Sequence, residues 1–185
     1  SFVDASRFDS PAALAAHLET GLQGQDATLE DLSGAMSVLC LLGPKAEKAM
    51  SEFGGDDILG LPYLSFEDNA RLGLPLFRMG SSGEYEYRML CPNDAVAALE
   101  AQMLEKAAEF DLAQISTDIL GLLMLEMRSL QLSDLAEGTD PITAGLHWMV
   151  DFRKEGYPGA DLLHARKEAP QDLPLMLLLD AGAIA

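Results

Sequence analysis

Tyr85, Tyr87 and Tyr157 are the side chains best suited to hold a flat ligand, because an aromatic face stacks on a planar ring while the hydroxyl keeps a polar handle. His17, His147 and His164 lie far apart, without the spacing by which imidazoles share a metal, so no metal centre is expected. His147 stands beside Trp148 on a strand-like stretch where it could line a pocket, although packing is the simpler role. Cys40 lies inside the apolar run Val38–Leu42 and Cys91 ends a strand-like segment, with no CxxC or Cys/His pattern. Two core thiols in a reducing, cytoplasmic setting are expected rather than a disulfide. Met36, Met124, Met127 and Met149 read as adaptable core. No nucleophile elbow, P-loop or dinucleotide fingerprint is present in the sequence.

These groups sit in a strongly acidic chain. Acidic residues outnumber basic ones by 30 to 12, for a net charge of -18 in 185 residues. Such a charge repels nucleic-acid backbone and anionic membrane, so neither is an expected partner. With 49% apolar residues the sequence can support a core, and a chain of this size buries about 70% of its unfolded surface. No apolar stretch reaches the roughly 20 residues of a spanning helix, and no basic flank followed by an apolar signal region opens the sequence. A soluble chain without a visible address is the expectation.

The elements that must position these side chains are legible in outline. Asp9-Ser10-Pro11 offers a cap and a first-turn proline ahead of a helix over Ala12–Leu22. Ala35–Leu42 is strand-length and apolar, and Gly43-Pro44 ends it before a helix carrying Ala46, Ala49, Met50 and Phe53. Ala70–Gly80 and Tyr85–Cys91 read as strands joined by a hairpin at Ser81-Ser82-Gly83-Glu84. After Cys91-Pro92-Asn93-Asp94, the composition of Ala95–Phe110 predicts one long amphipathic helix. A further helix from Ser116 through Leu122, Leu125 and Met127 has little polar face and is expected to be buried. Gly138–Pro141 turns into a predicted strand over Leu146–Phe152, Pro158–Lys167 reads as a short helix, and Leu173–Leu179 as a terminal strand. Strands and helices mix without a βαβ rhythm, which predicts an α+β fold with a mixed or antiparallel sheet packed against helices. The abrupt start at Ser1-Phe2-Val3 and the stop at Ala181–Ala185, after a strand wanting neighbours, suit a piece of a larger molecule.

Leu42–Ala46, Arg78–Glu84, Leu123–Glu126 and Pro141–Val150, in this order, resemble the glycine-cleavage T-protein (aminomethyltransferase, folate-binding) family. Leu42-Gly43-Pro44-Lys45-Ala46 is similar to its Gly-Pro-Lys-Ala turn, and Arg78-Met79-Gly80-Ser81-Ser82-Gly83-Glu84 to its hairpin R-T-G-Y-T-G-E. Leu123-Met124-Leu125-Glu126 falls where the family has L-R-L-E. Pro141-Ile142-Thr143-Ala144-Gly145-Leu146-His147-Trp148-Met149-Val150, followed by Lys154, Tyr157 and Gly159, resembles P-x-x-A-G-L-x-W-x-V and its sequel. The resemblance implies a folate-binding region over residues 1–170 and, at 171–185, a terminal strand leading into a C-terminal segment outside this sequence.

It also implies tetrahydrofolate as cofactor and a methylamine-type one-carbon donor as the other small-molecule partner, with a site completed by a protein partner or further segments of the same chain. Glu84 matches the hairpin glutamate. The resemblance assigns it to the pterin ring, whose N–H and amino groups suit a carboxylate acceptor. The family's catalytic aspartate lies in an N-terminal segment with no counterpart here, so the catalytic residue is unassigned. Ser81 replaces the hairpin tyrosine, and Leu120 and Met124 stand at the helix arginines. Leu132 replaces a later tyrosine, and Asp4 and Arg7 replace two asparagines. Loss of the arginines removes groups that fork onto carboxylates, with Arg128 one turn on. Tyr157-Pro158-Gly159 also resembles a K-G-C-Y-x-G segment of folate-binding relatives that assist iron–sulfur enzymes, but Gly156 takes the cysteine's place. The implied function is a tetrahydrofolate-dependent aminomethyl- or methyl-transferase domain. The rival is a non-catalytic small-ligand-binding or scaffold subunit of the same fold, in which Leu120 and Met124 fill the pocket.

Overall fold

The computed structural model describes residues 11–131, 134–136 and 138–168. Outside these lie the Asp9-Ser10 cap, the Val3–Arg7 segment, Leu132, the strand expected over Leu173–Leu179 and all of 171–185. The chain divides into two compact units, residues 1–129 and 130–185.

The first unit is α+β. Helix α1 (Pro11–Leu22) buries no residue, and β1 (Met36–Leu42) leads through Gly43 into α2 (Ala46–Gly54). A single 3-10 turn, Asp56–Gly60, precedes β2 (Ser65–Asn69), β3 (Leu74–Arg78) and β4 (Glu86–Pro92). These form a four-stranded antiparallel sheet in the order β1-β4-β3-β2. Side chains alternate across a strand, so Tyr87, Met89 and Cys91 of β4 point to one face and Glu86 and Arg88 to the other. The first face joins Leu41, Leu76, Ala49, Met50, Phe53 and Ile58 in the core, which is why the apolar positions of α2 are all buried.

Several expectations need correction. Ala70–Gly73 is a turn rather than strand: Asn69 accepts from the Leu72 amide (2.9 Å) and donates to the Gly54 carbonyl (2.9 Å), and the chain reverses into β3. The strand before it, β2, was hidden because Glu67, Asp68 and Asn69 leave no apolar alternation. The long helix over Ala95–Phe110 is two, α3 (Val96–Leu104) and α4 (Ala107–Phe110), and no glycine or proline announces the break. Asp111 then takes a left-handed conformation (φ 57), and Leu112 packs on the core beside Phe110.

Helix α5 (Thr117–Glu126) is capped by the Ser116 hydroxyl, which accepts from the Ile119 amide. It is not buried all round: Met124 is, whereas Ile119, Leu122 and Leu125 are exposed. Cys40 is exposed, because it lies on the β1 face opposite the core, while Cys91 is buried. Of the four methionines assigned to the core only Met124 is buried; Met50, Met89 and Met103 supply it instead.

In the second unit the strand expected over Leu146–Phe152 is replaced by a 3-10 turn, His147–Met149, closed by the Met149 amide on the Leu146 carbonyl. Gly145 (φ 74) enters this turn in a left-handed conformation that breaks an extended run. His147 and Trp148 are both exposed, so the packing role for His147 fails. Helix α6 (Ala160–Glu168) follows the reading of Pro158–Lys167 closely. Asp140 organises the entry to this unit, accepting from the amides of Ile142 (2.9 Å) and Thr143 (3.0 Å) and from the Thr143 hydroxyl (2.9 Å). Among the described residues no helix is long and apolar enough to cross a membrane.

Two outcomes follow for stability. Leu76 is fully buried at the centre of the sheet, so Leu76→Ala lowers unfolding free energy by about 2–5 kcal/mol, read from urea midpoints. The Thr143 amide first, then its hydroxyl, the Ile142 amide and Arg166, hold the Asp140 carboxyl below the ordinary carboxylate range against the opposing effect of burial. A carboxyl depressed in the folded chain stabilises it above the unfolded value and loses that contribution as pH falls through the folded one. Asp140→Asn therefore lowers the melting temperature at neutral pH, and its deficit shrinks as pH drops below about 4.

Candidate functional site

The hairpin between β3 and β4 builds the site. Its closing bond runs from the Met79 amide to the Glu86 carbonyl (3.2 Å), so the connection spans Met79–Tyr85 and is longer than the four-residue tip expected. Glu86 is buried at the start of β4. Its Oε2 accepts from the Ser81 amide (3.0 Å) and its Oε1 from Arg88 Nε (2.8 Å). Gly80 is required here, since a Cβ at this position would stand 2.9 Å from the Glu86 Cβ and 3.3 Å from Oε2. Gly83 is required twice over: its φ is +81, and the Met127 side chain just past α5 occupies the space a Cβ would take.

These residues enclose one side of a cleft of about 330 Å³ lined by Tyr63, Arg78, Gly80, Gly83, Glu84, Tyr85 and Glu86. All of them belong to the first unit. Arg78 Nη1 donates to the Leu61 carbonyl (2.6 Å), and its guanidinium lies 4.9 Å from the centre of the Tyr85 ring, within cation–π range. The Tyr63 hydroxyl donates to the Gly80 carbonyl (3.4 Å), which ties the opposite wall to the hairpin. Leu64 follows with φ 62, a left-handed conformation costing a leucine roughly 1–2 kcal/mol, and its amide donates to the Arg78 carbonyl (2.8 Å). The strained residue thus turns the chain between Tyr63 and β2.

Tyr87 lies behind the cleft in the core. Burial pushes its phenol up, with Arg78 opposing and Glu47 and Tyr85 adding to the rise. The hydroxyls of Ser81, Ser82 and Tyr87 are buried without a hydrogen-bond partner among the described residues.

The structure brings together Glu84 and Tyr85 from the sequence candidates. Glu84 is exposed at the rim. Tyr157 lies in the second unit and does not line the cleft. Neither Leu120 nor Met124 lines it, so the two residues at the family's arginine positions do not fill this space. Sequence reasoning missed Glu86, Tyr63 and the lining role of Arg78. The signal for Glu86 was available in the Glu86-x-Arg88 spacing, which on a strand sets a carboxylate and a guanidinium on one face. Tyr63 gave no such signal, being remote in sequence and brought to the cleft by the pairing of β2 with β3 and by its own hydroxyl on the Gly80 carbonyl. Among the described residues no group of three or more histidines, cysteines or acidic residues is placed to hold a metal.

Among known proteins, the family model of the GCVT N-terminal domain matches residues 8–154. The chain belongs to the GCVT N-terminal domain family. An aminomethyltransferase of Flavobacterium psychrophilum is 29% identical over 144 residues, covering 76% of this chain and 40% of that one. One from Bacillus cereus is 28% identical over 164 residues, covering 85% and 45%. One from Desulfitobacterium hafniense is 26% identical over 185 residues, covering 97% and 50%. The chain therefore spans about half the length, or less, of these curated relatives. In this GCVT-type chain the match takes in all four strands of the sheet and the hairpin that carries the cleft.

Gly80→Ala tests the close approach. The added methyl displaces Glu86 from the Ser81 amide and costs about 1–3 kcal/mol of stability, measured by chemical denaturation.

Proposed function

We propose that the cleft receives the pterin ring of tetrahydrofolate, as the folate-binding region of an aminomethyl- or methyl-transferase whose one-carbon donor is of the methylamine type. The observation that carries this reading is a pair of carboxylates, Glu84 at the rim and Glu86 at the floor, set between two tyrosines in a cleft of about 330 Å³. That volume is at the lower end of small-molecule sites, which combine apolar walls with a few convergent polar groups. Carboxylates accept from the N–H and amino edge of a pterin, and Tyr63 and Tyr85 offer faces to a flat ring. Bound tetrahydrofolate supplies the nitrogen that accepts the one-carbon unit. This chain's residues bind and orient the ring. Membership in a family whose relatives carry the name aminomethyltransferase supports the transferase reading.

A second reading, a non-catalytic ligand-binding or scaffold subunit of the same fold, is supported by the loss of arginine at positions 120 and 124, although Leu120 and Met124 do not fill the cleft as that reading requires. Calorimetry with tetrahydrofolate on the chain and on Glu84→Ala tests the first reading. The expected result is a dissociation constant of roughly 1–100 μM, weakened about tenfold by the substitution. Absence of heat at millimolar ligand overturns the folate reading. Tight binding without turnover in any assay of the complete protein would favour the second.

A further inference from the structure

We infer that Arg88 is a positioning residue that fixes the Glu86 carboxylate as an acceptor for a planar ligand edge bearing paired N–H donors. This deepens the folate proposal and rests on it for the identity of the ligand. Arg88 and Glu86 are two apart on β4, so both side chains leave the same face of the sheet. Arg88 does not line the cleft, whereas Glu86 does. The side chains are 11% and 2% exposed, and Arg88 Nε meets Glu86 Oε1 at 2.8 Å.

The opposite oxygen, Oε2, takes the Ser81 amide at 3.0 Å. Each carboxylate oxygen thereby accepts one of these two bonds and, with two lone pairs, has the capacity for a second donor. A buried carboxylate with neither partner would carry a large desolvation cost and could rotate. The pairing with Arg88 offsets that cost before any ligand arrives, and the Ser81 contact sets the plane of the group. The guanidinium suits this task better than an ammonium because it is planar and directional. Arg78, the cation that does line the cleft, is engaged by the Leu61 carbonyl and the Tyr85 ring.

The test uses Arg88→Met, Arg88→Lys, Glu86→Gln and the Glu86→Gln/Arg88→Met double variant of the full chain. Two ligands are titrated, tetrahydrofolate and its analogue lacking the 2-amino group. If Arg88 acts through Glu86, Arg88→Met weakens tetrahydrofolate about tenfold and leaves the amino-lacking analogue within about twofold. Its effect then disappears in the Glu86→Gln background, and Arg88→Lys restores only part of the loss. Equal weakening of both ligands, or losses that add in the double variant, assign Arg88 a purely structural role and overturn the inference.

A second readout does not need folate. Exchange of the Ser81 amide proton, followed by NMR, reports whether the carboxylate stays in place. Acceleration in Arg88→Met at unchanged global stability supports the clamp; unchanged exchange overturns it. If the native chain fails to bind tetrahydrofolate, the folate reading falls, and the Ser81 exchange decides the positioning role alone.

Discussion

The two-residue period of β4 is the constraint on which the molecule depends. Glu86 and Arg88 leave one face as an ion pair while Tyr87, Met89 and Cys91 leave the other into the core. A slip of one residue would drive the charged pair into the apolar core and take Tyr87, Met89 and Cys91 out of it, so the register with β1 and β3 has no near competitor. The antiparallel ladders enforce it, with Cys40 opposite Arg88 on one side and Phe77 opposite Arg88 on the other. Core formation and placement of the cleft's buried carboxylate are therefore the same event.

The hairpin converts that register into a site. Gly80 lets backbone lie against Glu86, and Gly83 admits the Met127 side chain from the end of α5. Both contacts depend on missing Cβ atoms, so the loop is shaped by close packing rather than by a dense hydrogen-bond network. Helix α5 contributes packing at this point, with Leu120 and Met124 at the positions where the resemblance in sequence implies arginines. Here the cations near the cleft come from the sheet instead: Arg78 lies in its wall and Arg88 behind its floor.

Much of this was legible in the sequence because it rests on local signals. The Gly43-Pro44 stop, the helix start near Ser116 and the glycine-bearing hairpin each have a chemical signature, and each element stands at those residues, the hairpin with a longer connection than its four-residue tip. The misses share a different cause. Strand β2 is held by pairing with β3 and carries no apolar alternation, the α3–α4 break has no glycine or proline, and exposure of Cys40 depends on which face of β1 meets the core. Tyr63 entered the cleft by the same route, through pairing of distant segments. Apolar composition misled at α5, where a helix rich in leucine presents Ile119, Leu122 and Leu125 to solvent in this chain.

Charge separates how a ligand would arrive from how it would be held. With 30 acidic and 12 basic residues the chain repels any anion at long range, but in physiological salt that field fades over roughly 8–10 Å. Close to the cleft the balance differs, since Arg78 and Arg88 stand against Glu84 and Glu86. A ligand carrying carboxylates gains little from steering and must be retained by contacts made at van der Waals distance. Such contacts require walls fixed before binding, because every group ordered on arrival subtracts from affinity. The Leu61 carbonyl on Arg78, the Gly80 carbonyl on Tyr63 and the Ser81 amide on Glu86 supply that order in advance.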